Sequence, residues 1–391
     1  MNKQQQIDEL LSRGVTEVIN KEELRSLLLG KKKLRVKLGI DPTSPNIHIG
    51  RAVVLWKLRA FQELGHKIVF IVGDFTGLIG DTSDKDSERP MLTEAQVKSN
   101  LKSYLTQAFK ILDKTKTETH FNSKWLKKLG LAEIGSMANL FGLHEFEARE
   151  NISKRMKAGK RVSLRELLYP LMQGYDSVAV KADVELGGTD QRFNLLAGRT
   201  IQPAYGQTPQ QILTTELLEG TDGRKMSSSW GNVVNLLDEP KDMFGKIMSI
   251  SDELIEKYFT LATRVSLKEI EAVITKNQNP RDQKLVLAER ITALYHGDKK
   301  ASEARTHFIS QFSKKELPSD IPTVKITPGN YQLTELLLMA KLVASKSEAR
   351  RLIEQKGVRI NGEVAPSQSV TIGKQNNLLL QVGKRKFVTI K

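Results

Sequence analysis

The sequence predicts an α/β protein built on a doubly wound parallel sheet, with smaller domains toward its C-terminus. Three observations carry this. A strand, a helix and a second strand follow one another between residues 34 and 74. Past residue 232 the pattern turns helical to about residue 312. A proline-bearing stretch then sets off a last, strongly basic segment.

The first strand is LRVKLGID, Leu34–Asp41, which alternates apolar and polar residues and then turns apolar. A helix is expected from about Arg51 to Leu64, with Val54, Leu55, Leu58 and Phe61 at helical spacing and Gly65 as its stop. KIVFIVGD, Lys67–Asp74, is a second buried strand, parallel to the first through a right-handed crossover. Residues 92–160 read as a polar, mostly helical insertion covering the sheet. Val162–Val180 reads as a helix leading to a strand in ADVELGGTDQ, and a further α/β stretch ends at TDGRKMSSSWGN, Thr221–Asn232. Pro318, Pro322 and Pro328 mark a linker. Beyond it, Ser345 and Glu348 form a capping box, Ala349, Leu352 and Ile353 give a helix its apolar face, and Gly357 ends it. VRINGEV then makes a hairpin, with Asn361-Gly362 in a type I′ turn. The expected division is 1–235, a sheet domain with its helical insertion; 236–315, helical; 316–329, linker; and 330–391, a small α+β domain.

Composition narrows the function. Hydrophobic residues make up 39% of the 391, enough for a buried core, and no apolar run approaches the ~20 residues of a membrane helix. The N-terminus, MNKQQQIDELLSRG, is polar and helical in pattern, unlike a signal peptide, so the expected location is the cytoplasm, with no membrane partner. No cysteine is present, which excludes disulfides and Cys-based metal sites, and the six histidines show no ligand spacing. Lys and Arg number 61 against 45 Asp and Glu. The last 62 residues hold 11 basic and 4 acidic side chains, a concentration that favours a polyanionic partner such as RNA or DNA over a general solubility effect.

Two stretches carry chemistry. In GIDPTSPNIHIGRAVVLWKL, Gly39–Leu58, a strand runs into a helix whose first N–H groups and positive dipole end face the carboxyl edge of the sheet. Thr43 and His48 are short-range donors suited to phosphate oxygens, Pro42 and Pro45 stiffen the loop, and Gly50 leaves room for a flat ring or a ribose. In DGRKMSSSWGN, Lys225 is followed by three hydroxyls and flanked by Gly223 and Gly231, a loop able to close over a triphosphate. Taken singly, the first also reads as a proline-rich turn with a structural histidine, and the second as a flexible surface loop.

Together, HIGR at 48–51 and KMSSS at 225–229 resemble the HIGH and KMSKS signatures of class I aminoacyl-tRNA synthetases. YPLMQGYD puts Tyr169, Gln173 and Asp176 at i, i+4 and i+7, one polar face of a helix. With GDFTGLIGDTSDKDSER and GGTDQRFN, this is similar to the bacterial tyrosyl-tRNA synthetases, in the subgroup whose first motif runs KLGIDPT. The likeness covers essentially the whole chain. It implies a Rossmann-like catalytic domain, a helical anticodon-binding domain and an S-four-like RNA-binding domain.

What the resemblance implies for the site is specific. Tyr169, Gln173 and Asp81 would hold the ammonium of tyrosine, with Thr76 nearby, and Asp176 would accept from the phenol. Lys37, Gly39, Asp41 and Gln191 would complete the tyrosine site, and Asp190 would take the ribose of ATP. Pro42, Thr43, His48, Gly50, Arg51, Gly188, Met226, Ser227, Ser228 and Ser229 would line the rest of the ATP site. Thr43, His48, Lys85, Arg89 and Lys225 would stabilise departing pyrophosphate. ATP with Mg²⁺ is then the co-substrate, with no permanently bound cofactor, and tRNA(Tyr) and a second copy of the chain are the partners. A carboxylate needs no general base to attack the α-phosphate, so placement and charge neutralisation suffice. Three positions depart from the pattern: Arg51 replaces the second histidine, Ser228 a common lysine, and Lys37 a tyrosine that reads the substrate hydroxyl in many members. Either Lys37 takes that part or Asp176 reads the hydroxyl with water. Two rival readings are a tryptophanyl enzyme of the same fold and a catalytically silent RNA-binding relative.

Overall fold

The structure is a computed structural model, describing residues 2–81, 92–313, 321–343, 345–365, 369–373, 378–383 and 386–390. It divides into two compact units, Met1–Arg305 and Thr306–Lys391. The first is organised by a six-stranded sheet of β1 (Val15–Ile19), β2 (Arg35–Ile40), β3 (Lys67–Val72), β4 (Thr117–Phe121), β5 (Val184–Gly188) and β6 (Gln211–Thr215). Strand order is β1-β6-β5-β2-β3-β4; β1 is antiparallel to β6 and the other pairings are parallel. The chain winds outward from β2 to β4, then restarts at β5 on the other side, so the order reverses between β2 and β5. That reversal is where open parallel sheets bind ligands.

The apolar runs of β2 and β3 are central and buried, as their sequences require. At the reversal, β2 and β5 pair at Val36–Val184 and Lys37–Glu185 and then part company, which opens a crevice above Lys37. Glycine sets the nearest wall. A Cβ on Gly174 would lie 3.0 Å from the backbone of Ala197 and 2.7 Å from Ile201 Cδ1, so only glycine lets the Leu164–Val180 helix press this closely on Arg192–Ile201.

Three elements differ from the sequence expectation. Inside the stretch expected to be helical lies β4, TETHF; every one of its residues is part-exposed, so it lacks the apolar signal of β2 and β3. The edge strand β1 escaped notice for the same reason. The first crossover helix is Ile49–Glu63, beginning two residues early, because His48 caps it: its ring nitrogen accepts from the Arg51 N–H, a part usually taken by Ser, Thr, Asp or Asn.

Helices Pro240–Met248, Ile255–Ala262, Leu267–Lys276 and Pro280–His296 belong to the same compact unit as the sheet. In the second unit β7 (Thr323–Val324), β9 (Val358–Ile360), β10 (Glu363–Val364), β12 (Leu378–Val382) and β13 (Lys386–Ile390) form one sheet, and β8 (Gly329–Gln332) pairs with β11 (Ser369–Ile372). Leu336, Leu337, Ala349, Leu380 and Ile390 form its core. The turn at Asn361-Gly362 has φ of 51° and 90°, the double positive that a type I′ hairpin needs. Ser345 caps the Lys346–Glu354 helix by accepting from the Glu348 N–H.

Candidate active site

The crevice collects side chains from the ends of four strands. Asp41 follows β2, Thr76 follows β3, Asn122 and Trp125 follow β4, and Gly188, Asp190 and Gln191 close β5. From the facing Leu164–Val180 helix come Tyr169, Gln173 and Asp176, all buried. These residues form a hydrogen-bonded line. Trp125 Nε1 donates to Asp176 Oδ1 at 2.7 Å. Asn122 Nδ2 donates to Asp176 Oδ2 at 3.2 Å and to Thr76 Oγ1 at 2.9 Å. Thr76 donates to Asp41 Oδ1 at 2.7 Å, and Tyr169 Oη donates to Asp41 Oδ2 at 2.9 Å. Gly73 permits the Asp41–Thr76 contact, since its Cβ would fall 1.9 Å from Asp41 Oδ1. The line thus joins two carboxylates through fixed neutral donors.

Burial governs the titration of this line. It pushes the Asp176 carboxyl up to about 7, against the opposing pull of Lys37, Trp125 and Asn122. Tyr169 is held far above a free phenol, by burial first and then by Asp41 and Asp81. Beside the line, Gln191 Nε2 donates to Asp81 Oδ2 at 2.7 Å, and Asn194 links the two. Gly39 faces open space on the crevice side of β2.

Beneath it lies a closed charge pair. Lys37 and Glu185 have no exposed surface, and Lys37 Nζ lies 2.9 Å from Glu185 Oε1. Lys37 also donates to the Gln173 carbonyl and to Ser177 Oγ, each at 2.8 Å. Glu185 further accepts from Gln173 Nε2, Ser177 Oγ and Gln210 Nε2. All three ammonium protons of Lys37 therefore have acceptors. The side chain of Gln173 is turned to Glu185, away from Tyr169 and Asp81, with which the sequence grouped it; these bond to Asp41 and Gln191 instead.

The two signature stretches meet at the other end of the crevice. Ile49 N–H donates to the Val234 carbonyl, and Leu236 N–H to Ile47, fastening the first stretch to the segment after the second. A Cβ on Gly50 would lie 3.1 Å from His48 Nδ1 and 3.3 Å from Met226 Sδ, so this glycine makes room for Met226 rather than standing open. Burial pushes His48 down to about 3, aided by the charges of Arg51 and Lys225. Its Nδ1 accepts from Arg51 N–H, so the neutral ring carries its proton on Nε2 and is a donor. Arg51 donates to Thr43 Oγ1 and to Tyr104 Oη, both at 3.1 Å. Lys225 is paired with Asp190 at 2.9 Å, and Gly188 leaves space for that carboxylate. Ser227 N–H donates to Asn232, which also holds Asp222, while Ser228 and Ser229 are exposed. Pro42 is buried at the start of the loop. Lys85 and Arg89 lie outside the described residues.

Sequence reasoning missed Asn122, Trp125, Ser177, Glu185 and Arg51's contact with Thr43. Asn122 and Trp125 follow the unread strand β4, and the only signal for Glu185 was an acidic residue inside an apolar strand.

The model of class I tRNA synthetases (W and Y) matches residues 30–313, and the chain belongs to that family. Residues 313–390 match the tyrosine--tRNA ligase SYY-like C-terminal domain. The tyrosine--tRNA ligase of Thermotoga maritima is 47% identical over 386 residues, covering 97% of this chain and 96% of the relative. That of Coxiella burnetii is 45% identical over 393 residues, covering 99% and 98%. Within the class, therefore, this chain is a tyrosine--tRNA ligase by family. Solved structures share the fold: a truncated mitochondrial tyrosyl-tRNA synthetase of Coccidioides posadasii has a TM-score of 0.63 at 23% identity, over 77% of this chain and 91% of its own. The Archaeoglobus fulgidus enzyme complexed with L-tyrosine scores 0.62 at 23% identity, over 78% and 100%.

The His48 arrangement has a direct consequence. With its pKa near 3, the ring stays neutral throughout the physiological range. Nitrogen-15 NMR should show one unchanging Nε2–H tautomer from pH 5 to pH 8, whereas a titration midpoint near the ordinary histidine value would contradict the buried, capped geometry.

Proposed function

We propose that the crevice between β2 and β5 carries out the tyrosine--tRNA ligase reaction of this family, activating tyrosine with ATP and then esterifying tRNA(Tyr), with the following division of labour. The observation that supports it most is the line from Trp125 to Tyr169: a carboxylate for a phenol at one end and carboxylates for an ammonium at the other. Asp176 accepts from the phenol hydroxyl. Asp41 and Asp81, oriented by Thr76, Tyr169 and Gln191, surround the ammonium. Phenylalanine brings no donor to Asp176 and so forgoes a charge-assisted hydrogen bond that tyrosine gains in this buried site, which counts against it.

The tyrosine carboxylate attacks the α-phosphate and the bond to pyrophosphate breaks. Neutral His48 donates from Nε2 and Thr43 from its hydroxyl to the phosphate oxygens whose charge grows. Lys225 is paired with Asp190; a ribose that takes Asp190 turns Lys225 to the leaving pyrophosphate, with Lys85 and Arg89 sharing that load. Mg²⁺ enters with ATP, held mainly by the phosphates. The adenylate is then attacked by the terminal ribose hydroxyl of tRNA. The helical segment 236–315 serves the anticodon side, the basic 330–391 domain grips the RNA, and the setting is cytoplasmic, where tRNA is charged.

A homodimer is the expected assembly. Between residues 131 and 168, Leu131, Leu140, Leu143, Met156, Leu164 and Leu168 are large apolar side chains left exposed, a concentration that a second copy would cover.

Three measurements check these assignments. Replacing His48 by Ala should slow pyrophosphate exchange by about 10²–10³-fold while leaving tyrosine affinity almost unchanged; equal losses in both would remove His48 from the transition state. Deleting residues 330–391 should spare adenylate formation and impair tRNA charging, with binding that weakens as salt rises; undiminished charging would free that domain of the role. Sedimentation should give the mass of two chains, falling to one in Leu131→Asp/Leu143→Asp, and a monomeric parent protein would end the dimer assignment.

A further inference from the structure

We infer that Lys37 is a positioning residue for tyrosine selection, which anchors the helical turn presenting Asp176 and supplies the positive charge beneath that carboxylate without donating to the substrate. The inference rests on the assignment of Asp176 as the phenol acceptor. Lys37 sits on β2 at the point where β2 and β5 separate, under the crevice floor. Two of its three acceptors, the Gln173 carbonyl and Ser177 Oγ, bracket Asp176 on the same helix. The third, Glu185, is its register partner on β5. With every ammonium proton engaged, Lys37 offers the substrate hydroxyl nothing directly.

Its reach to Asp176 is electrostatic as well as mechanical. The groups around Asp176 are Lys37 from β2, Glu185 from β5, the neutral donors Asn122 and Trp125 after β4, and Tyr169 on its own helix. Asp41 is reached only through Asn122 and Thr76. Lys37 is thus the cation on this face, and it works against burial, which favours the protonated acid; Glu185 works in the same direction as burial, but more weakly than Lys37 opposes it. A protonated Asp176 is a poorer acceptor for a phenol donor. Tyrosine affinity should therefore fall as pH drops through the Asp176 titration, and losing the Lys37–Glu185 pair should move that fall to higher pH.

The test is the pH dependence of kcat/KM for tyrosine in pyrophosphate exchange, measured on Lys37→Met/Glu185→Gln, which removes the pair without stranding either charge. The acid limb should move up by about one pH unit, which raises KM for tyrosine about fivefold at neutrality and about tenfold on the acid side. KM for ATP should stay as it was, and a charge-retaining Lys37→Arg/Glu185→Asp variant should restore the original limb. Should the first variant not fold, Lys37→Gln/Glu185→Gln is read in the same way. A folded neutral variant whose profile superimposes on the parent's would overturn the inference. Asp176→Asn separates the two claims. If it leaves tyrosine KM unchanged, the phenol assignment itself fails; if it raises KM while the Lys37 variants do not shift the limb, only the role of Lys37 is lost.

Discussion

The buried pair between Lys37 and Glu185 is the constraint on which the site is built. It lies where two parallel strands stop pairing, and a doubly wound sheet must open there if it is to bind anything. An apolar pair at that place would take from the Gln173 carbonyl and from the Ser177 and Gln210 side chains hydrogen bonds that they make in a dry interior. The ion pair bonds to each of them and so ties both strands to the helix that covers them. Removing one partner alone would leave a buried charge uncompensated, at a cost of about 3–5 kcal/mol. The crevice can widen above this point because it is so tightly fastened below.

On that floor the donors are held by the protein's own hydrogen bonds. Asn122 gives its N–H groups to Asp176 and Thr76, and Thr76 gives its proton to Asp41. The two carboxylates therefore keep a set spacing. The same logic governs His48. Burial keeps its ring neutral and the cap to Arg51 N–H fixes its tautomer, so its Nε2–H is a donor that needs no protonation step.

Much of this was legible in the sequence, for physical reasons that differ by element. β2 and β3 are buried on both faces and so carry an apolar run; the Leu164–Val180 helix carries Tyr169, Gln173 and Asp176 at one-face spacing. β4 is an edge strand with every residue part-exposed, and its polar sequence resembles the helices around it. Because β4 went unread, so did Asn122 and Trp125 directly after it. Lys37 and Glu185 show the other limit. Alternation explains a charged residue in a strand as solvent-facing, and only the packing of β5 and the covering helix reveals that both charges point inward to one another.

Arg51 shows how a departure from a signature can be absorbed. At the place of a second histidine, its guanidinium reaches Thr43 Oγ1 and Tyr104 Oη. A guanidinium has only protons to give, so Thr43 must accept from it, and the hydroxyl proton of Thr43 is left to point elsewhere. The bond that braces the loop also fixes the direction of its donor. Across the crevice, Lys225 is held on Asp190, and Met226 packs against Gly50 in the turn that follows His48. The loop bearing Lys225 and the helix capped by His48 therefore share a contact. Whatever draws Lys225 from Asp190 therefore acts on a loop already registered against the turn that His48 caps.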